Sequence, residues 1–157
     1  MADNFEFISA GDKAALIAFT TPTWLDAIKG ALEDLHYKVN TAATHNDFLL
    51  RYSRIRYDIV VLEELFCASG IAENITLNNL QNMPMAQRRH SPVILIGDSF
   101  QTYSSQQAFQ QSVHTVINPA ELFLIRELIE KAVSDNYQFL TGYRETQARI
   151  FAGKSRD

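Results

Sequence analysis

The sequence predicts an α/β fold in which five parallel strands alternate with helices in a doubly wound, three-layered arrangement. Short apolar runs of strand length recur along residues 13–135, and each is followed by a longer stretch with helical spacing of its apolar residues. The runs are nearly continuous rather than alternating, which is typical of parallel strands covered on both faces. Strands that alternate with helices imply right-handed crossovers and a parallel sheet.

Five segments have the character of strands. They are KAALIAF at 13–19, HYKVNTAA at 36–43, YDIVVLEELF at 57–66, PVILI at 92–96 and HTVI at 114–117. The third segment is apolar from Ile59 to Leu62 and then carries two adjacent carboxylates, Glu63 and Glu64. The carboxyl end of a parallel strand is where open α/β sheets bind ligands, so Glu63 is a candidate for a functional site.

The segments between the strands have the spacing of amphipathic helices. Helices are predicted for 23–35, 48–55, 71–80 and 104–112, and from Pro119 onward. Pro119 is a suitable first residue for the last helix, and Thr44 with Asp47 forms a capping signal before the second. In the third helix Ile71, Ile75 and Leu77 or Leu80 are expected to point inward. Strand and helix alternating five times predict a flavodoxin-like domain over residues 13–135.

Two terminal segments lie outside this pattern. Residues 1–12 are predicted to form a tail or a linker, and residues 136–157 exceed what the fold needs. Apolar residues at helical spacing continue past Gly142, which favours a C-terminal helical extension. Two interpretations stay open: a helix that dimerises or links to another domain, and a docked or frayed tail.

Composition excludes several classes of protein. The net charge of −4 and the short basic cluster at 88–90 argue against nucleic-acid binding. No apolar run approaches the roughly 20 residues that span a bilayer, and the N-terminus lacks the pattern of a secretory signal. A single cysteine, Cys67, excludes an internal disulfide and is consistent with a reducing cytoplasm.

The usual catalytic and cofactor motifs are missing from the sequence. The four histidines are scattered without HxH or HxxxH spacing, and Cys67 has no CxxC partner, which argues against a zinc site. The sequence contains no GxSxG, GxGxxG or Walker A pattern. We therefore expect no enzyme activity, no metal and no cofactor.

Three stretches together resemble the receiver domain of bacterial two-component response regulators. They are KAALIAFTTP, YDIVVLEELF and the pair PVILIG and VINPAEL, and the resemblance covers roughly residues 13–135. In that family the first strand ends in a pair of acids that hold magnesium, and the third ends in the phosphorylated aspartate. The fourth normally ends in threonine or serine, and the fifth in lysine followed by proline. The resemblance implies a flavodoxin-like fold and a role in signalling.

The positions that bind metal and accept phosphate in the family carry other residues here. Phe19 and Thr20 stand where the family has its acid pair, and phenylalanine cannot bind magnesium. Glu63 stands at the acceptor position, with its carboxylate one methylene further out. These departures imply a pseudo-receiver that is not phosphorylated.

The switch positions have changed as well. Gly97 replaces the threonine or serine, Asn118 replaces the lysine, and Thr115 falls where the family has its aromatic switch. Pro119 retains the proline of the family, and by analogy the Asn118–Pro119 bond is expected to be cis.

Glu63 has two interpretations. It could imitate a phosphorylated aspartate, or it could be a satisfied polar end of the strand that accepts hydrogen bonds from Thr20, Asn118 or backbone N–H groups. The second is favoured, because no cation that would oppose the charge is evident in the sequence. Glu64 is expected to point to the opposite side of the strand, as a solvated residue or a helix cap.

The leading hypothesis is a phosphorylation-independent signalling module that contacts a protein partner or a second copy, as a possible homodimer. By the resemblance, its interaction face would include Tyr103, Phe109 and Glu121. Phe100, Tyr103, Phe109 and Phe123 are the candidates for an exposed aromatic anchor on that face, but a place in the core is favoured for Phe109 and Phe123. The alternative is a small-molecule sensor that uses the changed pocket at the strand ends. That pocket would be formed by Phe19, Thr20, Glu63, Gly97, Asn118 and Pro119.

Overall fold

A computed structural model of the protein describes residues 8–9, 11–88 and 90–154, and it confirms the predicted α/β fold. Five parallel strands form one sheet in the order β2-β1-β3-β4-β5. The strands are β1 (Ala14–Ala18), β2 (Lys38–Ala42), β3 (Ile59–Glu63), β4 (Val93–Ile96) and β5 (Thr115–Ile117). The strand order turns back at β1 and β3, so their carboxyl ends lie side by side at the switch point of the sheet.

Helices cover both faces of the sheet. They are α1 (Pro22–Asp34), α2 (His45–Arg54), α3 (Ile75–Gln81), α4 (Met85–Arg88), α5 (Ser105–Gln111) and α6 (Ile125–Lys154), with 3₁₀ turns at Ile71–Glu73 and Pro119–Leu124. Side chains from α1 and α6 pack on one face, and side chains from α2, α3 and α5 pack on the other. Every residue of β1 and β3 is buried, which agrees with the continuous apolar runs that predicted them.

Two helix boundaries differ from the prediction. Residues 71–80 do not form one helix: a 3₁₀ turn ends before Asn74, and α3 begins at Ile75, which is half exposed rather than inward. Asn74 interrupts the helix because its side chain caps α3 by accepting a hydrogen bond from the N–H of Leu77. Similarly, Pro119 opens a 3₁₀ turn, and α6 begins only at Ile125.

The C-terminal helical extension is confirmed through Lys154. At 1.5 Å per residue, α6 is about 45 Å long, and among its described side chains the last buried one is Ala132. Beyond that point Tyr137, Phe139 and Ile150 are more than half exposed. Among the helices of the described residues, none has both the length and the apolar character needed to cross a bilayer. Most of the predicted tail at 1–12, and residues 155–157, lie outside the described residues.

Candidate functional site

Glu63 is the last residue of β3, and its side chain is bound to the segment that follows β1. The side chain is 5% exposed. Oε1 accepts hydrogen bonds from the backbone N–H of Thr20 at 2.8 Å and of Thr21 at 3.0 Å. Oε2 accepts one from the hydroxyl of Thr21 at 2.9 Å. Both carboxylate oxygens of Glu63 therefore have partners at the start of α1.

The sequence at the start of α1 explains this arrangement. Thr21 is the N-cap of α1, but its hydroxyl makes no cap bond inside the helix and donates to Glu63 instead. The first N–H groups of a helix have no partner within it, and Pro22 at the first helical position has no N–H to satisfy. A carboxylate is favoured at this end because the helix dipole is positive there. Glu63 thus supplies an internal anion to the N-terminus of α1.

The end of β1 contributes hydrogen-bond donors and apolar surface to the site. Phe19 is buried in the core layer on the side of α1 and α6. The hydroxyl of Thr20 accepts a hydrogen bond from the N–H of Cys67 at 3.0 Å, which ties the loop after β3 to the loop after β1. In the described parts of the chain, no group of three or more His, Cys, Asp or Glu side chains is placed to hold a metal.

Glu64 was predicted to be solvated, and this prediction is wrong because its side chain is buried. Its side chain is 7% exposed and lies over Gly97. A Cβ added to Gly97 would lie 2.5 Å from Cβ of Glu64 and 2.8 Å from its Cδ, distances that real side chains do not tolerate. The reason for the error is the loop after β3, which turns at Glu64 and folds the side chain back over the end of β4. Gly97 therefore makes room for Glu64 in addition to lacking a hydroxyl.

The two neighbouring glutamates are equally buried but differ in their partners. Glu63 accepts three hydrogen bonds, whereas Glu64 accepts one long hydrogen bond, from the N–H of Ser99 at 3.4 Å. Neither forms an ion pair with any described residue. The site therefore holds one well-bound carboxylate and one with few partners.

Asn118 organises the loops around the site without bonding to Glu63. Its side-chain amide donates to the carbonyl of Phe100 at 2.8 Å, and its Oδ1 accepts from the N–H of Ala120 at 2.8 Å. Its own N–H donates to the hydroxyl of Thr102 at 2.9 Å. The expectation of a cis Asn118–Pro119 bond is wrong: none of the described peptide bonds is cis. A trans bond is the ordinary state before proline, and here it leads directly into the 3₁₀ turn.

Asn74 belongs to the site and was missed in the sequence. It is fully buried, and its amide donates to the carbonyl of Glu63 at 3.1 Å and to that of Glu64 at 3.0 Å. Together with its cap bond to Leu77, these bonds link the end of β3 to the start of α3. The available signal was an asparagine immediately before an amphipathic run, which is the pattern of an N-cap.

The residues predicted for an interaction face fall in two places. Tyr103, Phe109 and Thr115 line one groove beside β5, whereas Glu121 lies in the 3₁₀ turn before α6 and does not line that groove. Tyr103 donates its hydroxyl to the carbonyl of Leu128 at 2.6 Å, and burial together with the charge of Asp135 raises the pKa of Tyr103 to about 12. Tyr103, from the loop before α5, therefore lies in the same groove as Thr115 of β5.

Phe109 and Phe123 are not core residues, contrary to the prediction. They are 85% and 79% exposed. The short α5 buries Ala108 against the sheet and turns its neighbour Phe109 outward, while Phe123 lies in a 3₁₀ turn that does not extend the stripe of α6.

The space that a ligand at the strand ends would need holds the side chains of Glu63 and Glu64. Three grooves on the described surface lie elsewhere: one beside β5, one at the amino ends of β3 and β4, and one between α1 and α6. A small-molecule site at the strand ends stays a prediction.

Comparison with solved structures identifies the fold. The receiver domain protein of Methanospirillum hungatei is 17% identical, with a TM-score of 0.62 over 82% of this chain and 98% of its own. The chemotaxis response regulator CheY4 of Vibrio cholerae is 14% identical, with a TM-score of 0.58 over 77% and 98%. The receiver domain of a sensor histidine kinase from Pseudomonas aeruginosa, which has magnesium coordinated in its active site cleft, is 15% identical, with a TM-score of 0.60 over 79% and 99%.

At the level of sequence, no protein-family model and no curated protein matches this chain. The likeness lies in the three-dimensional arrangement of strands and helices, which nearly the whole of each compared receiver domain shares. The chain therefore has the fold of response-regulator receiver domains.

Proposed function

We propose that this chain is a receiver-like signalling module that acts through protein contacts, without phosphorylation and without catalysis of its own. The observation that carries the proposal is the bonding of Glu63, which stands at the acceptor position of the fold. Both of its carboxylate oxygens accept hydrogen bonds from the segment before α1.

Phosphoryl transfer to a carboxylate needs an oxygen that is available as a nucleophile and a divalent cation to neutralise the phosphoryl oxygens. In this site the expected cation ligands are replaced by Phe19, which is buried in the core, and by Thr20, whose hydroxyl accepts a hydrogen bond from Cys67. Attack by Glu63 would also require its bonds to Thr20 and Thr21 to break. These features support a module with one resting state, in which Glu63 permanently supplies the negative charge.

The test uses a phosphoryl analogue. We expect the backbone amide resonances of Thr20, Thr21 and Gly97 to keep their positions when magnesium and beryllofluoride, or magnesium and acetyl phosphate, are added. A receiver domain with its full acid set, treated in the same buffer, is the control that shows the reagents are active. A magnesium-dependent shift centred on Glu63 would refute the proposal.

Self-association through the end of α6 is the contact that we propose. Phe139 and Ile150 are more than half exposed on the part of α6 that leaves the domain, and at 3.6 residues per turn they lie on the same side of the helix. Helices in proteins are stabilised mainly by packing of an apolar face, and Gly142 within this helix costs about 1 kcal/mol relative to alanine. A second copy that packs on the same apolar side chains would stabilise it.

One solved structure supports this contact by analogy. It is a fusion that contains a trimeric coiled-coil segment of yeast Spc42. It is 14% identical, with a TM-score of 0.62, and the match covers 94% of both chains, more than the 77–82% of this chain that the three receiver structures cover.

Sedimentation over a range of concentrations tests the contact. We expect the full chain to associate. Ile150→Asp should weaken the association about tenfold, since a charge replaces an apolar side chain that association would bury. Thr141→Asp is the matched control, because Thr141 is exposed and lies about half a turn around the helix from Ile150. A chain that is monomeric at every concentration, or an equal effect of both substitutions, would contradict the proposed contact.

A further inference from the structure

A groove of about 830 Å³ lies along the free edge of the sheet, between α5, β5 and α6. Its walls are mostly apolar and aromatic, with Ala108 and Phe109 from α5, Val113 after it, and Ala132 and Phe139 from α6. This volume lies within the range of pockets that hold small organic ligands. The groove is separate from the strand-end site of Glu63.

Arg88 gives the groove a buried positive charge. Its side chain is 8% exposed, one guanidinium nitrogen donates to the carbonyl of Ser112 at the end of α5, and its Nε has no hydrogen-bond partner. Among the described residues no carboxylate forms an ion pair with it. Burial lowers the pKa of Arg88, which reflects the cost of holding this charge away from water. A buried cation without an anion is a place where an anionic ligand adds stability.

His114 adds a neutral hydrogen-bond donor. Its Nδ1 accepts a hydrogen bond from the N–H of Val93 at 2.9 Å, so the proton of the neutral ring is on Nε2. Burial, together with the nearby charge of Arg88, lowers the pKa of His114 to about 4. The ring is therefore uncharged at neutral pH and carries its proton on Nε2.

The rim of the groove contains an ion pair that balances itself. Lys131 Nζ lies 3.0 Å from a carboxylate oxygen of Asp135 and 5.0 Å from the centre of the Tyr103 ring. Because the charges of Lys131 and Asp135 cancel, the net charge of the groove residues is the positive charge of Arg88.

From this combination we infer that the groove binds a small organic anion with an apolar body, such as an aromatic or medium-chain carboxylate. The apolar body packs against Phe109 and Phe139, and the anionic head faces the side of Arg88 and His114. The size of the groove and the charge of Arg88 in its lining favour such a ligand over a peptide, because a peptide backbone presents only neutral groups to Arg88. This inference does not depend on the state of Glu63, and Phe139 is the residue that it shares with the contact proposed through α6.

The first experiment compares ligands that differ in charge. Decanoate and its neutral counterpart decanol are titrated into the full chain, followed by calorimetry and by amide NMR. We expect decanoate to bind about tenfold more tightly, since a charge-assisted hydrogen bond replaces a neutral one. Both ligands should shift the resonances of Val113 and His114. No binding of decanoate, or equal affinity for the two ligands, would overturn the inference.

The second experiment uses matched variants. We expect Phe109→Ala to weaken both ligands about fivefold because it removes one apolar wall, and Phe123→Ala, an equally exposed phenylalanine outside the groove, to change nothing. Arg88→Met should remove the preference for decanoate while decanol binds as before. If Phe123→Ala weakens binding as much as Phe109→Ala does, the groove is not the site. If dilution of ligand-free Ile150→Asp, in which association through α6 is weakened, still shifts the resonances of Val113 and His114, a second copy occupies the groove and the inference fails.

Discussion

Glu63→Gln and Glu64→Gln form a matched pair that tests how the strand-end site is stabilised. The two residues are neighbours, are 5% and 7% exposed, and form no ion pair with any described residue. Glutamine has nearly the same shape as glutamate. At position 63 its carbonyl can still accept from Thr20 and Thr21, and its amide can donate to the Thr21 hydroxyl after that hydroxyl turns. Each substitution therefore removes a charge and leaves the packing in place.

The expected magnitudes follow from the hydrogen bonds. A bond to a charged group contributes about 1.5–3 kcal/mol and a neutral one about 0.5–1.5 kcal/mol, so each bond that loses its charge loses about 1 kcal/mol. Glu63 has three such bonds, and Glu64 has one at 3.4 Å, near the limit of a hydrogen bond. Removing a buried charge relieves a desolvation cost that is similar at both positions. We expect Glu63→Gln to destabilise the protein by about 1–2 kcal/mol and Glu64→Gln to be neutral or stabilising.

Urea unfolding, followed by circular dichroism at constant pH, measures the two free energies. With a typical dependence of 1–3 kcal/mol per molar urea, a difference of about 2 kcal/mol between the variants separates their midpoints by roughly 1 M. Unchanged slopes would show that both variants unfold from the same compact state.

If Glu63→Gln is as stable as the parent, or if the two variants lose equal amounts of stability, then the start of α1 does not stabilise the charge of Glu63. The charge would then be a cost to the fold, as expected for a residue kept in place to imitate a phosphorylated side chain.

Three further predictions concern Gly97, Asn74 and His114. Gly97→Ala should lower the free energy of unfolding in urea by about 1–3 kcal/mol, because its Cβ would meet the side chain of Glu64. The double variant with Glu64→Ala should recover most of this loss. If it recovers none, the two residues are not in contact. Asn74→Ala should cost about 2–4 kcal/mol, since it removes the cap of α3 and two bonds to the carbonyls that end β3; a loss below about 1 kcal/mol would show that water replaces the amide. For His114, folding lowers the pKa from 6.5 to about 4, so the unfolded chain binds the proton first as the pH falls. Stability should therefore decline between pH 6.5 and 4, and the decline should be shallower in His114→Asn; identical pH profiles would contradict this.

The strands were predictable because their signal is local. A run such as Ile59 to Leu62, apolar on both faces, is stable only between two helical layers, and the structure places it in the centre of the sheet. The position of Glu63 at the carboxyl edge follows from the same run. Helix boundaries were less predictable, because Asn74 caps α3 one residue before Ile75 and Pro119 begins a 3₁₀ turn that delays α6.

The orientation of single side chains was the least predictable feature. The alternation rule places Glu64 on the side opposite to Glu63, yet the strand ends at Glu63, and the rule does not apply to the loop beyond it. Phe109 has a large apolar side chain, as core residues do, but α5 is so short that Ala108 is its one buried residue. Sequence pattern gives the period of an element and does not give the angle at which a short helix docks.

Residue type and spacing along the chain were enough to predict the alternation of strands and helices and the parallel sheet, and to show that the acid pair of receiver domains is missing. The roles of the individual site residues depend on contacts that form only in the folded chain. Glu63 binds the start of α1, Gly97 makes room for Glu64, and Arg88 meets the end of α5 beside the groove. These contacts join residues that are distant in sequence, and their distances and burial are fixed only when the layers pack together.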